Sequence, residues 1–446
     1  MGELLGTMAR ASDHVATGLT AAFVAVAIML AGMSIPAAAQ ATTSAKPSTS
    51  MSKEKAEPPR PQVSTTLERT TFAELPGWER DDHLAAFKTF LKSCDWVING
   101  AARGRISTGD TKVVPDELAD ACREAQKLKK PTKASAKAFF ESRFAPHRIV
   151  HNNTQGLLTG YYEPILKGSR TAEGKFQTPV YKRPTDLLNV VDEADRASKQ
   201  DGLSHVRKTS SGTAAFPTRQ EIEEGALAGQ DLELLYLEDP VECFFMHIQG
   251  SARIELTDGT TTRINYAGKN GHPYSSIGRY LIENDMLSAD KMSMQALGKW
   301  LRSDLERGRR VMWQNKSFIF FREIDDAEGP VGAMAVPLTP GRSLAVDTSF
   351  HTLGTPLYVS APNLSHATKS SGFNRLMVAQ DVGSAIKGPE RGDIFFGSGE
   401  KAGRIAGVTK HAGNFFVLLP ATVEVAGDGI RFGEHLRWQT TVKDGH

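Results

Sequence analysis

Ser343-Leu344-Ala345-Val346-Asp347, Leu376-Met377-Val378-Ala379-Gln380-Asp381-Val382-Gly383 and Gly392-Asp393-Ile394-Phe395-Phe396-Gly397 place three aspartates in one stretch, 343–399, each at the edge of a short apolar run. Runs of β-branched and aromatic residues bounded by glycine and proline read as buried strands. Taken singly, each aspartate has a structural explanation, because aspartate commonly caps turns and ends strands. Taken as a set, three carboxylates at strand edges are able to converge on one spot, and the upstream chain decides whether they do chemistry there.

The chain has 446 residues, enough for two or three domains. Hydrophobic residues make up 40% and charged residues 23%, an ordinary globular balance. The net charge is +2 and no basic stripe interleaves with aromatics, which sets nucleic acid aside as a partner. The apolar run from Ala16 to Ala31, after Arg10, ends near Pro36-Ala37-Ala38-Ala39-Gln40, so 1–39 reads as a signal peptide cut after Ala39. An uncleaved N-terminal anchor is the alternative. No cysteine lies near the end of this run, which points away from a lipid anchor and toward an exported protein, periplasmic and soluble or loosely associated with the outer membrane or cell wall. The stretch 40–67, rich in Ser, Thr, Pro and Lys, reads as a flexible linker. Of the three cysteines, export leaves Cys94 and Cys122 free to pair or not, and Cys243, in an apolar run read as a strand, is an inert core thiol.

From Pro76 onward, Leu84, Phe87, Leu91 and Cys94 recur at helical spacing. A second helix follows Pro115, and a third carries Phe139, Phe140 and Phe144 and ends at Pro146. In Gly156 to Pro164, strand alternation sends Thr159, Tyr161 and Glu163 to one side, a hydroxyl, an aromatic and a carboxylate suited to a sugar-binding wall. Leu232 to Leu237 and Val241 to Met246 read as strands, and the same alternation continued puts His247, Gln249 and Ser251 on one face, hydrogen-bonding groups that suit a polysaccharide. Ile254 to Ile264 around Asp258-Gly259 is the clearest hairpin. Tyr266 to His272 is a polar loop, and Leu297, Trp300, Leu301 and Leu305 mark one helix ended by Gly308. Strands at Phe318 to Phe321 and Phe415 to Leu419 complete the reading, which predicts two β domains with helical decoration.

Three blocks together, Thr159 to Pro164, His247 to Ser251 and the three-aspartate region through Gly388 and Gly397, resemble the membrane-bound lytic murein transglycosylase A family over roughly Leu75 to Leu419. The resemblance implies a mainly β chain: a double-psi β-barrel catalytic domain with an inserted second β-barrel domain and a substrate groove between them. The catalytic barrel would be built from 68–164 and 322–446, the three-aspartate domain, with 165–321 inserted. It implies cleavage of peptidoglycan glycan strands between N-acetylmuramic acid and N-acetylglucosamine, with a 1,6-anhydro end formed as the muramoyl C6 hydroxyl attacks C1. One aspartate serves as acid and then base, and it falls on Asp393. Asp381 is its neighbour or a stabiliser of positive charge at C1. Asp347 and Lys387 are supporting residues, Arg375 sharing with Lys387 the option of meeting a carboxylate, and Thr159, Tyr161, Glu163, Gln249 and Ser251 line the groove. No cofactor is implied, the expected state is a monomer, and cell-wall machinery proteins are the other class of partner.

The residues themselves leave rivals open. A muramidase using water would need two of the aspartates as acid and base. A binding module would keep the groove without turnover. A carboxylate-only metal site is the least favoured, since the spacing matches no EF-hand loop and no metal is expected.

Overall fold

The computed structural model describes residues 65–102, 116–151, 155–190, 203–324, 329–368, 372–422 and 430–432. The expected signal peptide, and the linker as far as residue 64, lie outside the described residues. Thr65 to Leu67, expected as the end of the linker, instead lie in a strand.

In chain order the first part comprises β1 (Thr65–Arg69), α1 (His83–Ala102), α2 (Asp116–Lys127), α3 (Lys133–Arg143), β2 (Phe144–Val150) and β3 (Gly156–Glu163). The middle part holds β4 (Ile165–Ser169), β5 (Thr178–Tyr181), β6 (Leu187–Asn189), β7 (His205–Thr209), β8 (Gly212–Ala214), α4 (Arg219–Glu221) and β9 (Glu233–Leu237). It continues through α5 (Pro240–Gln249), β10 (Ser251–Leu256), β11 (Thr261–Lys269), α6 (Ile277–Glu283), α7 (Met294–Arg302), α8 (Leu305–Met312) and β12 (Ile319–Ile324). The last part is β13 (Ser343–Val346), β14 (Pro356–Ala361), β15 (Phe373–Val382), β16 (Arg391–Ser398), α9 (Gly399–Ala406), β17 (Lys410–Pro420) and β18 (Ile430–Phe432).

Strands from the first and last parts pair in the order β14-β15-β13-β16-β3-β17, and β17 pairs back onto β14. The ring is closed, and from β17 the sheet branches on through β2 and β1 to β18. Two of its contacts, β13 with β15 and β16 with β3, are parallel. This is the double-psi β-barrel. Its core is filled by inward alternating residues such as Leu158, Leu344, Val346, Ile394 and Val417. Against its outside pack α1 to α3, through an edge-to-face aromatic cluster of Phe87, Phe90, Phe139, Phe140 and Phe144. A Cys94–Cys122 disulfide ties α1 to α2.

The middle part builds a second sheet, β12-β11-β10-β4-β9-β5, and a bridge between Lys182, just after β5, and Phe321 of β12 brings its ends together. The expected hairpin is β10–β11, with Gly259 at positive φ in the turn.

Several local expectations are corrected. Val241 to Met246 is not a strand: Pro240 at the first turn and Asp239 accepting from the Val241 N–H start α5, which runs to Gln249. The helical period was hidden because α5 is wedged between two cores, Cys243 and Met246 facing one, Val241, Phe244 and Phe245 the other. Pro146 does not end a helix but lies within β2 opposite Leu418, its carbonyl accepting from the Thr70 N–H. The single helix expected to stop at Gly308 is two: Asp304 caps α8 by accepting from the Arg307 N–H, and Gly308 lies inside it, where a Cβ would collide with the Leu301 carbonyl of α7. The polar loop after the hairpin begins late, since β11 continues to Lys269.

Candidate active site

The site begins with β13. Leu344 and Val346 point into the barrel core, leaving Ser343 and Ala345 on the other face. Ala345 is paired on one side with Asp381 of β15 and on the other with Asp393 of β16. Adjacent strands lie about 4.8 Å apart, so the two aspartate backbones flank β13 at about 10 Å with a small side chain between them. A β-bulge contributes: Leu344 faces Ala379 and Ala345 faces Asp381, so Gln380 is the extra residue. Gln380 turns away and is held in the interior by Ser343, Ser93 and the Thr89 carbonyl, which leaves Asp381 aimed outward.

β3 completes the arrangement from beyond β16, with Thr159 opposite Asp393 and Tyr161 opposite Phe395. The Thr159 hydroxyl donates to Asp393 Oδ1 at 2.5 Å, and the Tyr161 hydroxyl donates to Asp381 Oδ2 at 2.8 Å. Asp381 Oδ1 accepts from the Ala333 and Val382 N–H groups at 3.0 and 2.9 Å. Both oxygens of Asp381 are therefore engaged. Asp393 has one engaged oxygen, and among the described residues Oδ2 has no hydrogen-bond donor. Both carboxyls line a cavity of about 170 Å³ whose opposite wall comes from the second barrel, including Arg219, His247 and Gln249. It adjoins a cavity of about 370 Å³ bordered by Gln249, Ser251, Asn265 and Arg322.

Burial pushes Asp381 up to about 6, opposed by the hydrogen bonds from Tyr161, Val382 and Ala333 and helped by the negative charge of Asp393. Burial also raises Asp393, opposed by the Arg391 guanidinium and then the Thr159 hydroxyl. Burial first, and the Asp381 charge second, hold the Tyr161 phenol well above its ordinary value, so it remains a donor. Two carboxyls that influence one another share their protons as a pair. Three donors favour the charged form at Asp381 against its burial, and the Arg391 charge with the Thr159 hydroxyl does the same at Asp393. The arrangement can present one carboxylic acid and one carboxylate to a bond lying between the barrels.

The other sequence-predicted residues divide. Gln249 and Ser251 do border the cavities, but as the last residue of α5 and the first of β10, separated by Gly250 at positive φ, and not as alternating strand positions. Gln249 Oε1 also accepts the Tyr162 N–H at 3.0 Å, joining the second barrel to the first. His247 borders the cavities with them but is itself buried: its Nδ1 accepts from Arg219 at 3.1 Å, and burial followed by the Arg219 charge holds it neutral. Glu163 does not reach the groove. It is fully buried, ion-paired to Arg263 at 2.6 Å and accepting from Ser398 at 2.5 Å. Asp347 accepts from the Ser349 and Gly388 N–H groups and pins the turn that follows Asp381. Lys387 lies near Asp347 with its Nζ buried, its pKa lowered by burial against that carboxylate's pull, and it does not line the cavity. Arg375 lies over the Phe373 ring, away from the pair.

Arg391 was missed. Its guanidinium donates to the Thr159 hydroxyl oxygen at 2.9 Å and to the Gly392 carbonyl at 2.6 Å. The available signal was Arg391-Gly392-Asp393 on one strand, since residues two apart share a face. Asn265 was missed too. It pairs with Ser251 on one side and Arg322 on the other, making a polar row across three strands of the second barrel.

A double-psi barrel that presents a half-buried carboxylate pair to a cavity walled by a second barrel defines a class of two-barrel cleft proteins with carboxylate-centred sites. Comparison with known proteins makes the assignment narrower. Residues 157–322 match the MltA specific insert domain and residues 342–419 the 3D domain. Membrane-bound lytic murein transglycosylase A of Escherichia coli (strain K12) is 38% identical over 268 residues, 59% of this chain and 65% of that protein. The chain thus spans a little under two thirds of that curated relative. The crystal structure of membrane-bound lytic murein transglycosylase from Agrobacterium tumefaciens is similar with a TM-score of 0.71 and 36% identity, covering 80% of this chain and 98% of that one. Escherichia coli MltA, solved with bound chitohexaose, is similar with a TM-score of 0.55 and 30% identity, covering 75% of this chain and 90% of that one. This chain belongs to the membrane-bound lytic murein transglycosylase A family.

Proposed function

We propose that this protein is a lytic transglycosylase that cleaves the β-1,4 bond between N-acetylmuramic acid and N-acetylglucosamine in peptidoglycan. The observation that carries the reading is the asymmetry of the pair: Asp381 is held as a carboxylate by three donors, whereas Asp393 keeps one oxygen open to the cavity. Asp393 gives its proton to the glycosidic oxygen as the C1–O bond breaks, the bonding electrons leaving with that oxygen. Asp381 stabilises the positive charge developing at C1. Asp393, now a carboxylate, takes the proton of the muramoyl C6 hydroxyl as O6 bonds to C1. The products are a free N-acetylglucosaminyl hydroxyl and a 1,6-anhydromuramoyl end, no water is consumed, and Asp393 is protonated again.

The glycan strand lies between the barrels, a placement suggested by the similarity to Escherichia coli MltA, solved with bound chitohexaose. Thr159, Tyr161, Gln249 and Ser251 border it, while Asp347 and Lys387 support the turn beside Asp381. The same reading divides the chain into an export signal at 1–39, a linker at 40–67, barrel segments at 68–164 and 322–446, and the insert at 165–321. It puts the enzyme at the cell wall in the periplasm.

Digestion of purified peptidoglycan sacculi followed by mass spectrometry tests this. The expected muropeptides are lighter by one water than their reducing counterparts, and Asp393→Asn abolishes their release while sacculus binding persists. Reducing ends from the unaltered protein would assign the chain to water-using hydrolysis instead.

A further inference from the structure

The contacts around Asp393 specify more than its proximity to the cavity. The guanidinium of Arg391 is clamped to the Gly392 carbonyl at 2.6 Å and reaches the Leu157 carbonyl at 3.4 Å, which fixes its plane against two strands. From there it donates to Thr159 Oγ1 at 2.9 Å. An arginine can only donate. The Thr159 hydroxyl proton is therefore directed away from Arg391, and the acceptor within reach is Asp393 Oδ1 at 2.5 Å. A carboxyl oxygen that is accepting this short bond is not the one that carries the acid proton.

We infer that Arg391 and Thr159 form a positioning relay that fixes the acid proton of Asp393 on Oδ2, the oxygen open to the cavity. The inference rests on Asp393 being the acid and adds what makes it a competent one. A carboxylic acid is free to hold its proton on either oxygen, and only the proton facing the substrate is useful. The relay removes the unproductive arrangement by engaging the other oxygen of Asp393. It also counterbalances burial: both the Arg391 charge and the Thr159 bond favour the carboxylate, as the second half of the cycle requires when Asp393 must act as base.

The titratable and charged groups that face Asp393 are few. Tyr161 comes from β3, Asp381 from β15 and Arg391 from its own strand, with Arg219, His247 and Tyr274 across the cavity. Burial keeps His247 neutral and Tyr161 protonated, so neither changes charge in the working range.

The test compares Thr159→Val, Thr159→Ser, Arg391→Lys and Asp393→Asn in the full chain, following anhydro-end release against pH. Thr159→Val keeps the shape of the side chain and removes the hydroxyl. It is expected to lower kcat about tenfold, the loss of one hydrogen bond to a charged group, with KM within about twofold. Removing a bond that favours the carboxylate raises the Asp393 pKa, so the alkaline limb of the rate profile moves to higher pH. Thr159→Ser restores both rate and limb. Arg391→Lys, which keeps the charge but loses the clamped fork, lowers kcat with a smaller movement of the limb. A Thr159→Val enzyme with unaltered kcat and unaltered limb overturns the relay. So does a lowered kcat whose limb stays in place and which Thr159→Ser fails to restore, since that marks a packing role. If Asp393→Asn is itself active, the underlying assignment of the acid fails, and that outcome is read separately from the threonine variants.

Discussion

Glu163 provides the sharpest test of how the two barrels are joined, because strand alternation alone assigns it to the substrate and the structure assigns it to the fold. It is the last residue of β3, two residues before the chain enters the second barrel at Ile165. Its carboxylate accepts from Arg263 Nε at 2.6 Å and Nη2 at 3.4 Å, and from Ser398 Oγ at 2.5 Å. Arg263 belongs to the second barrel and Ser398 to the first, and the charged side chains are 0% and 2% exposed. Glu163→Ala leaves the Arg263 guanidinium in a dry site without its carboxylate, a change that costs about 3–5 kcal/mol. For a folded unit of this size that corresponds to a fall in Tm of about 5–10 °C. The cost belongs to the uncompensated charge and not to the pair as such, so the double substitution Glu163→Leu with Arg263→Met recovers most of it. Thermal unfolding followed by calorimetry gives the loss, and a double-mutant cycle gives the coupling. A Glu163→Ala protein with unaltered Tm and a raised KM for glycan would refute the argument and return Glu163 to the groove wall.

Two further outcomes follow from the same geometry. With burial holding Asp381 at about 6, its carboxylate is lost as pH falls through that value, so the rate of anhydro-end release declines on the acid side there. Asp381→Asn removes this acidic limb and lowers kcat about 10²-fold, and a limb that persists in the variant would belong to another group. The Cys94–Cys122 bond closes a loop of sequence separation 28, which in the chain-entropy description contributes about 3–4 kcal/mol. Cys122→Ser should lower the denaturant midpoint accordingly, while the native thiol assay stays silent for Cys243, buried with its pKa pushed up to about 12. A midpoint equal to that of the unaltered protein would mean that packing of α1 on α2 carries the contact.

Two β domains were legible because their strands are short apolar runs with distinct ends, whereas closure into a barrel was an expectation from the family resemblance, since no local pattern encodes which runs pair. The carboxylate pair was legible in part. Sequence puts Asp381 and Asp393 at strand edges, but their meeting depends on β13 lying between them and on the bulge at Gln380, neither of which is a property of any local pattern. Alternation correctly put Thr159 and Tyr161 on one side of β3, and both donate to the pair. It failed two residues later because the pairing of β3 with β16 shifts between Phe395 and Ser398, where the second barrel covers the strand end. A period of two says which face a side chain takes, not what lies on that face. The misreading of α5 has a different cause: a helix buried on several sides loses the polar stripe by which a period of 3.6 is recognised, and its apolar run then looks like a strand.

Two aspartates beside one another on a protein surface would be nearly interchangeable. Here they are distinguished by backbone geometry. The bulge turns Asp381 toward the Ala333 and Val382 N–H groups, and Tyr161 supplies a third donor, so negative charge is stabilised there by fixed dipoles in a dry setting. Asp393, in regular pairing, has no backbone donor among the described residues and receives one hydroxyl whose direction is set by Arg391. The different surroundings of two identical side chains therefore come from one extra residue in β15 and one arginine in β16. In the proposed reaction the nucleophile belongs to the substrate, so no second protein group would have to activate water, and the small Ala345 lines the cavity between the two carboxyls. A larger residue at 345 would fill that space and push a sugar ring away from Asp393 without altering either carboxyl, which locates the capacity for chemistry in the spacing of three strands as much as in the acids they carry.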